Sequence, residues 1–170
     1  MLKNRIITAL AIAFVALAAI FLLPLWAFSL FFLAAAGFGV FEWAGFAGLE
    51  TLRAKLLYTG LFLLMAAGLY LLKAYFADFI GLVSMLWMCA IASILLYPTG
   101  EFLFKNQWFV GALGLVIMLG AWVSLSMLRA HDQGALWLVW LFVLTTATDV
   151  GAYFVGKAFG KNRLAAQLSP

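Results

Sequence analysis

"IITALAIAFVALAAIFLLPLWAFSLFFLAAAGFGVF", Ile6 to Phe41, decides the fold. A helix needs about 20 apolar residues to cross a bilayer, and this stretch is too long to be one such helix. Pro24 lies inside it. Proline lacks a backbone donor and disfavours helix in the residue before it, so a tight hairpin divides the stretch into spans at 6–23 and 25–41. The pattern recurs downstream, predicting further spans at 56–72, 79–97, 108–128 and 136 to about 153.

The whole composition agrees. The chain has 170 residues, of which 68% are hydrophobic and 9% charged, and its mean hydropathy is +1.17. A water-soluble domain of this size could not cover itself with so little polar surface, so an integral membrane protein is expected. "MLKNR" before the first apolar run could open a secretory signal. The next segments are equally hydrophobic and no small-residue cleavage site stands out, which favours a first membrane span. Lipid forces every backbone polar group to find its partner within a span, so the expected fold is all-α. The reading is one polytopic helical bundle of about six transmembrane helices, forming a single domain over 1–170. The first three spans and the last three show no self-similarity of the kind found in repeat-built transporters.

Net charge is +4, from 10 Lys and Arg against 6 Asp and Glu. In this chain the cations record orientation rather than nucleic-acid binding, because they fall in short loops. With the N-terminus in the cytoplasm, Lys3, Arg5, Arg53, Lys55, Lys105, Lys157, Lys161 and Arg163 all lie on the cytoplasmic side. Only Lys73 and Arg129 fall outside, so both termini are expected to be cytoplasmic. Trp26, Trp43, Trp108 and Trp137 sit near predicted span ends, as interfacial aromatics should. Cys89 and His131 are the only cysteine and histidine. A disulfide framework, a cysteine-based metal site and a Ser-His-Asp triad are therefore not expected.

Charged residues at membrane depth are costly and become functional candidates by default. Glu42 beside Trp43 reads first as an interfacial carboxylate, or else as a partner for a base in the same layer. Glu50 and Arg53 suggest a pair one turn apart on a short surface helix. Asp78, Glu101, His131 and Asp132 read as loop polarity, and "YPTGE", 97–101, as a turn.

"TTATDVGAYFVGKAFGKNRL", Thr145 to Leu164, is different. Thr145, Asp149, Ala152, Tyr153 and Gly156 recur at helical spacing and share one face of the last span. That face can line a polar cavity or pack against another helix. Gly156 and Gly160 match the small-xxx-small spacing of packed membrane helices, and Gly151 adds to the glycine set. Lys157, Lys161 and Arg163 follow at once. They read either as a cluster anchoring the helix end against anionic lipid or as phosphate contacts. A carboxylate at the same boundary could help hold a divalent cation that bridges phosphate oxygens.

Asp149 to Pro170, "DVGAYFVGKAFGKNRLAAQLSP", closely resembles the signature segment of the phosphatidate cytidylyltransferases, also called CDP-diacylglycerol synthases. That pattern runs approximately D-x-G-A-Y-x-x-G-x-x-F-G-K-x-x-L, then a spacer and S-P. Asp149, Gly151, Ala152, Tyr153, Gly156, Phe159, Gly160, Lys161, Leu164, Ser169 and Pro170 occupy its positions. "LKNRIITAL", "EWAGF" and "LLYPTG" resemble the family more loosely, so the resemblance spans essentially the whole chain.

The resemblance implies a multi-pass enzyme of the bacterial inner membrane that condenses CTP with phosphatidate, giving CDP-diacylglycerol and pyrophosphate. It also implies a divalent metal, normally magnesium. Asp149 and Lys161 are the expected catalytic residues, with Asp149 also the metal ligand. Tyr153, Gly156, Lys157, Gly160 and Ser169 are expected to bind substrate. Expected partners are CTP, phosphatidate and membrane lipids, with a homodimer allowed and no nucleic acid. In the family, S-P runs on into K-T-x-E-G and a further acidic stretch that this sequence does not contain. It is therefore expected to be an N-terminal part, without full activity alone. A small transporter and a noncatalytic membrane subunit are the alternatives.

Overall fold

A computed structural model describes residues 2–95 and 106–160, and the side chains of 7–92 and 106–160. The described residues form helices and no strand. In order these are α1 (Leu2–Leu22), α2 (Leu25–Trp43), α3 (Leu52–Leu71), a 3-10 turn (Lys73–Tyr75), α4 (Phe76–Leu95), α5 (Gln107–Ala130) and α6 (Gly134–Phe159). Five of the helical segments are long and apolar enough to cross a membrane, while the described apolar part of α1, Ile7–Leu22, is shorter. The chain is thus an all-helical, multi-pass membrane protein, and each of the six expected spans falls on one helix.

Local chemistry explains the boundaries. α1 stops before Pro24, which then caps α2, with Phe28 N–H donating to the Pro24 carbonyl at 2.9 Å. α3 begins at Leu52 rather than near 56, because the Thr51 hydroxyl accepts from Ala54 N–H at 3.2 Å. That cap replaces the expected separate surface helix. Glu50 precedes it, and no ion pair joins Glu50 to Arg53 among the described residues. α5 is capped in the same way by Asn106, whose Oδ1 accepts from Trp108 N–H at 3.0 Å and Phe109 N–H at 3.4 Å.

α5 is the centre of the bundle and holds eight buried residues, including Leu115, Leu119, Trp122 and Val123. These pack with Val40 of α2, with Ala44 that caps it, and with Tyr58, Phe62 and Ala66 of α3. A second cluster joins Ile20 of α1, Phe28 of α2 and Leu138 of α6. Close backbone approach sets the α2–α5 contact: a Cβ at Gly114 would run into the Trp43 indole. Trp43 Nε1 donates to the Val110 carbonyl at 2.9 Å at one end of this pair. Toward the other end, Trp122 Nε1 donates to the Ser29 carbonyl at 3.0 Å, and the Ser29 and Ser126 hydroxyls are 3.0 Å apart.

These pairings make α2, α4 and α6 antiparallel to α5, with α3 parallel to it. The α2–α3 turn, the start of α5 and the end of α6 therefore lie at one end of the bundle. Arg53, Lys55 and Lys157 share that end, and Lys73 and Arg129 lie at the other. Arg129 has a structural task there: its Nε donates to the Ile20 carbonyl at 3.0 Å and Nη2 to the Leu23 carbonyl at 3.5 Å. It thereby satisfies acceptors at the C-terminal end of α1, where no further turn exists to do so.

Candidate functional site

α6 is 26 residues long, and at about 1.5 Å per residue it outruns a hydrocarbon core of about 30 Å. It therefore does not fit wholly within the core, and the cation at its last turn, Lys157, places that end at the membrane surface by the usual cost of a charge at depth. Asp149 lies about two turns before Lys157 on the same helix. The helix packs only through its first turns, where Gly134 and Leu138 are buried. Every residue from Leu141 to Gly160 is exposed, and none of them joins a buried cluster among the described residues.

The structure brings Thr145, Asp149, Ala152, Tyr153 and Gly156 onto one helix in the expected register. The Thr145 hydroxyl donates to the Leu141 carbonyl at 2.8 Å, and that of Thr148 to the Leu144 carbonyl at 2.7 Å. Their protons are thus used within the helix. The Asp149 carboxylate has no hydrogen bond or ion pair among the described residues, leaving its oxygens open to a ligand. Tyr153 is 63% exposed, and its ring meets Phe154 edge-on at 5.5 Å. Lys157 Nζ stands 6.0 Å from the Tyr153 ring centroid, the outer limit of a cation–π contact.

The glycines act differently from the expected packing pair. α6 ends at Phe159, and Gly160 is its C-cap, with its N–H donating to the Gly156 carbonyl at 3.0 Å. Nothing lies within 4 Å of a Cβ built at Gly151 or Gly156, so neither packs against a described helix. Lys161, Arg163 and Ser169 lie outside the described residues, as do Lys105 and 97–101.

No group of three or more potential metal ligands occurs among the described residues. Asp149 alone could supply one carboxylate. Such a donor fits magnesium, which often takes one or two carboxylates and fills its remaining positions with water and substrate phosphates. Glu42 is exposed at the end of α2, as an interfacial carboxylate would be, and Asp78, His131 and Asp132 are exposed at helix ends or turns.

One feature at the same end was not anticipated. A cavity of about 350 Å³ lies between the α2–α3 turn, α3 and α5, and its walls include Ala47, Leu49, Tyr58, Leu61, Gly111 and Leu115. Tyr58, one of these walls, donates to the Gly111 carbonyl at 2.6 Å. Gly48, at φ 73°, makes the turn that brings the chain against the Gln107 side chain. The small residues 47, 48, 111 and 112 were the available signal, but they come from two distant segments that only folding brings together.

The sequence profile described as the cytidylyltransferase family matches residues 3–170. A phosphatidate cytidylyltransferase of Pseudomonas aeruginosa is 36% identical over 170 residues, covering 100% of this chain and 63% of the relative. One from Haemophilus influenzae is 31% identical, with 100% of this chain and 65% of the relative covered. A third, from Bacillus subtilis, is 31% identical over 48% of this chain and 32% of the relative. The chain thus spans less than two thirds of the length of these relatives. No solved structure matches it.

Proposed function

The chain belongs to the cytidylyltransferase family, and from that premise we propose that it serves the transfer of a cytidylyl group from CTP to phosphatidate. The observation that carries this reading is the joint placement of an open Asp149 carboxylate and Lys157 near one end of α6, in a motif resembling the family signature. In the reaction, a phosphate oxygen of phosphatidate attacks the α-phosphorus of CTP. The bond from that phosphorus to the β-phosphate bridging oxygen breaks, giving CDP-diacylglycerol and pyrophosphate. Such chemistry asks for positioning and charge neutralisation rather than a protein nucleophile. The lone Cys89 and His131 are accordingly no obstacle.

Asp149 is assigned to hold magnesium or to order the groups that bind phosphate. The ion, when bound, supplies positive charge to the phosphate oxygens. Lys157 and Lys161 attract the phosphates, and Tyr153 with Gly156 and Gly160 leaves room beside them. Ser169 is assigned to substrate binding by motif position alone. The motif end of α6 faces the cytoplasm in this reading, where CTP is available, and the membrane is the bacterial inner membrane. The cation distribution supports that orientation, since Arg53, Lys55 and Lys157 share one end of the bundle.

The test uses membranes carrying the full-length enzyme, assayed for CTP-dependent formation of CDP-diacylglycerol. Asp149→Asn is expected to lower turnover by about 100-fold or more, the scale of losing one electrostatic contact to a transition state. Wild-type turnover in both Asp149→Asn and Lys161→Ala would overturn the site assignment.

A further inference from the structure

The reaction just described gives no task to the two threonines that precede Asp149 on α6. We propose that Thr145 and Thr148 form a joint in this helix, about which the segment from Asp149 to Phe159 turns as one piece against the packed bundle, making both threonines positioning residues for Asp149 and Lys157. The joint stands on geometry alone, while its use in turnover rests on the function proposed above.

The bonding comes first. The Thr145 hydroxyl donates to the Leu141 carbonyl at 2.8 Å. The Thr148 hydroxyl shares its proton between the Leu144 carbonyl at 2.7 Å and the Thr145 carbonyl at 2.8 Å. In an α-helix those same carbonyls accept the N–H groups four residues on, at Thr145, Thr148 and Asp149. Each of the three therefore serves two donors, and the carbonyl of Thr145 is the acceptor of the Asp149 amide itself. Back-bonding of this kind weakens the backbone ladder and bends helices. Thr59 on α3 and Ser84 on α4 each make one such bond, at 2.9 Å to Lys55 and Ile80. On α6 three converge just ahead of the motif.

Their place along the helix comes second. Leu138 is the last buried residue of α6 and Val139 the last half-buried one. Leu138 packs with Ile20 and Phe28, so the start of the helix is held by the core. Thr145 and Thr148 lie between that anchor and the motif. Gly151 follows Asp149 closely, and nothing lies within 4 Å of a Cβ built there. No described contact thus calls for a glycine, and a glycine inside a helix loosens the backbone. The weakened turns and the free end adjoin.

The consequence for the site follows from its being linear. Asp149 and Lys157 ride on one helical segment, so a turn about the joint advances both toward a phosphate or withdraws both from it. An enzyme that grips a triphosphate and then releases pyrophosphate needs both movements. A misplacement of about 1 Å is enough to cost about 100-fold in rate.

The experiment uses the full-length protein freed of other cysteines, with spin labels attached through Leu136→Cys and Val155→Cys. Both positions are exposed, and they are about 28 Å apart along a straight helix. Pulsed electron paramagnetic resonance reads the distribution of that distance. With both threonines present it is expected to be broad. Thr145→Val with Thr148→Val keeps the branched shape, removes both hydroxyls and is expected to narrow the distribution to about half its width. Thr145→Ser with Thr148→Ser should restore the breadth. In unlabelled enzyme the valine pair is expected to lower kcat about tenfold, with the KM for CTP and the melting temperature close to wild type, and the serine pair to recover kcat. In an Asp149→Asn background the valine pair should cause no further loss, because it acts through that carboxylate. Equal widths for the threonine and valine proteins would overturn the joint. A narrowed distribution with unchanged kcat, or full additivity with Asp149→Asn, would overturn the positioning role. Wild-type turnover in Asp149→Asn would overturn the site assignment and the positioning role with it, while a distribution still narrowed by valine would leave the joint standing.

Discussion

Arg129, near the end of α5, donates from Nε to the Ile20 carbonyl of α1 at 3.0 Å, across 109 residues of sequence. Its guanidinium also lies 5.9 Å from the Phe28 ring centroid, so one cation ties together α1, α2 and α5. Hydrogen bonds from charged groups contribute about 1.5–3 kcal/mol. Arg129→Ala is expected to lose an amount of that order, and Arg129→Lys most of it, because an ammonium lacks the fork that reaches both Ile20 and Leu23. Thermal unfolding in detergent would measure this. Equal melting of Arg129→Ala and wild type would remove the role.

Gly114 and Trp43 are coupled by space. A Cβ at 114 would displace the indole and with it the bond to the Val110 carbonyl. Gly114→Ala is expected to destabilise by about 1–3 kcal/mol, the usual cost of overpacking. In a Trp43→Ala background the same substitution should be nearly neutral. A double-mutant cycle reads the difference, and additive effects would show that the two do not interact.

Trp122 and Ser29 allow a comparison within one contact. Trp122 Nε1 meets both the Ser29 carbonyl, at 3.0 Å, and its hydroxyl, at 3.1 Å. Ser29→Ala leaves the carbonyl in place but removes the hydroxyl's contacts with Trp122 and with Ser126, at about 0.6 kcal/mol each, a typical value for such bonds in membranes. Trp122→Phe removes the donor and also shrinks a buried side chain, so it should cost clearly more. The order of the two melting temperatures is the check.

Lys157 touches the ring of Tyr153 and little else, so its removal should leave stability unchanged. In the full-length enzyme Lys157→Ala is expected to raise the KM for CTP about tenfold, with a weaker dependence on ionic strength than wild type. Tyr153→Phe keeps the ring under the ammonium and should be mild, whereas Tyr153→Leu should approach Lys157→Ala. Steady-state kinetics at two salt concentrations would separate these outcomes.

Orientation can be read directly by thiol labelling. In a Cys89→Ala background, Glu50→Cys is expected to react only with reagent supplied to the cytoplasmic face, and Asp132→Cys only from the opposite face. The reverse pattern would place the motif end of α6 away from cytoplasmic CTP and overturn the proposed topology.

The register of the motif residues was legible because its signals are local. Asp149, Tyr153 and Gly156 share a face through the helical period alone, and the start of α2 follows from the ring of Pro24. The Gly156–Gly160 spacing meets no packing partner among the described residues, and a glycine after the last helical turn serves equally well as a cap. The Thr51 cap was missed because a threonine before charged residues does not look like the start of a membrane span.

The sequence by itself determined the six long helices among the described residues, their approximate limits and the family, because lipid imposes long apolar runs and the motif is linear. Only the tertiary structure decided which helices touch. In a bilayer a leucine facing lipid and one facing another helix are equally apolar, so hydropathy does not label the buried face. That is why the burial of α5, the task of Arg129, the hollow beside Tyr58 and the exposure of α6 from Leu141 on among the described residues had to come from packing. Each depends on close approach between segments far apart in the chain, and only the folded bundle specifies those approaches.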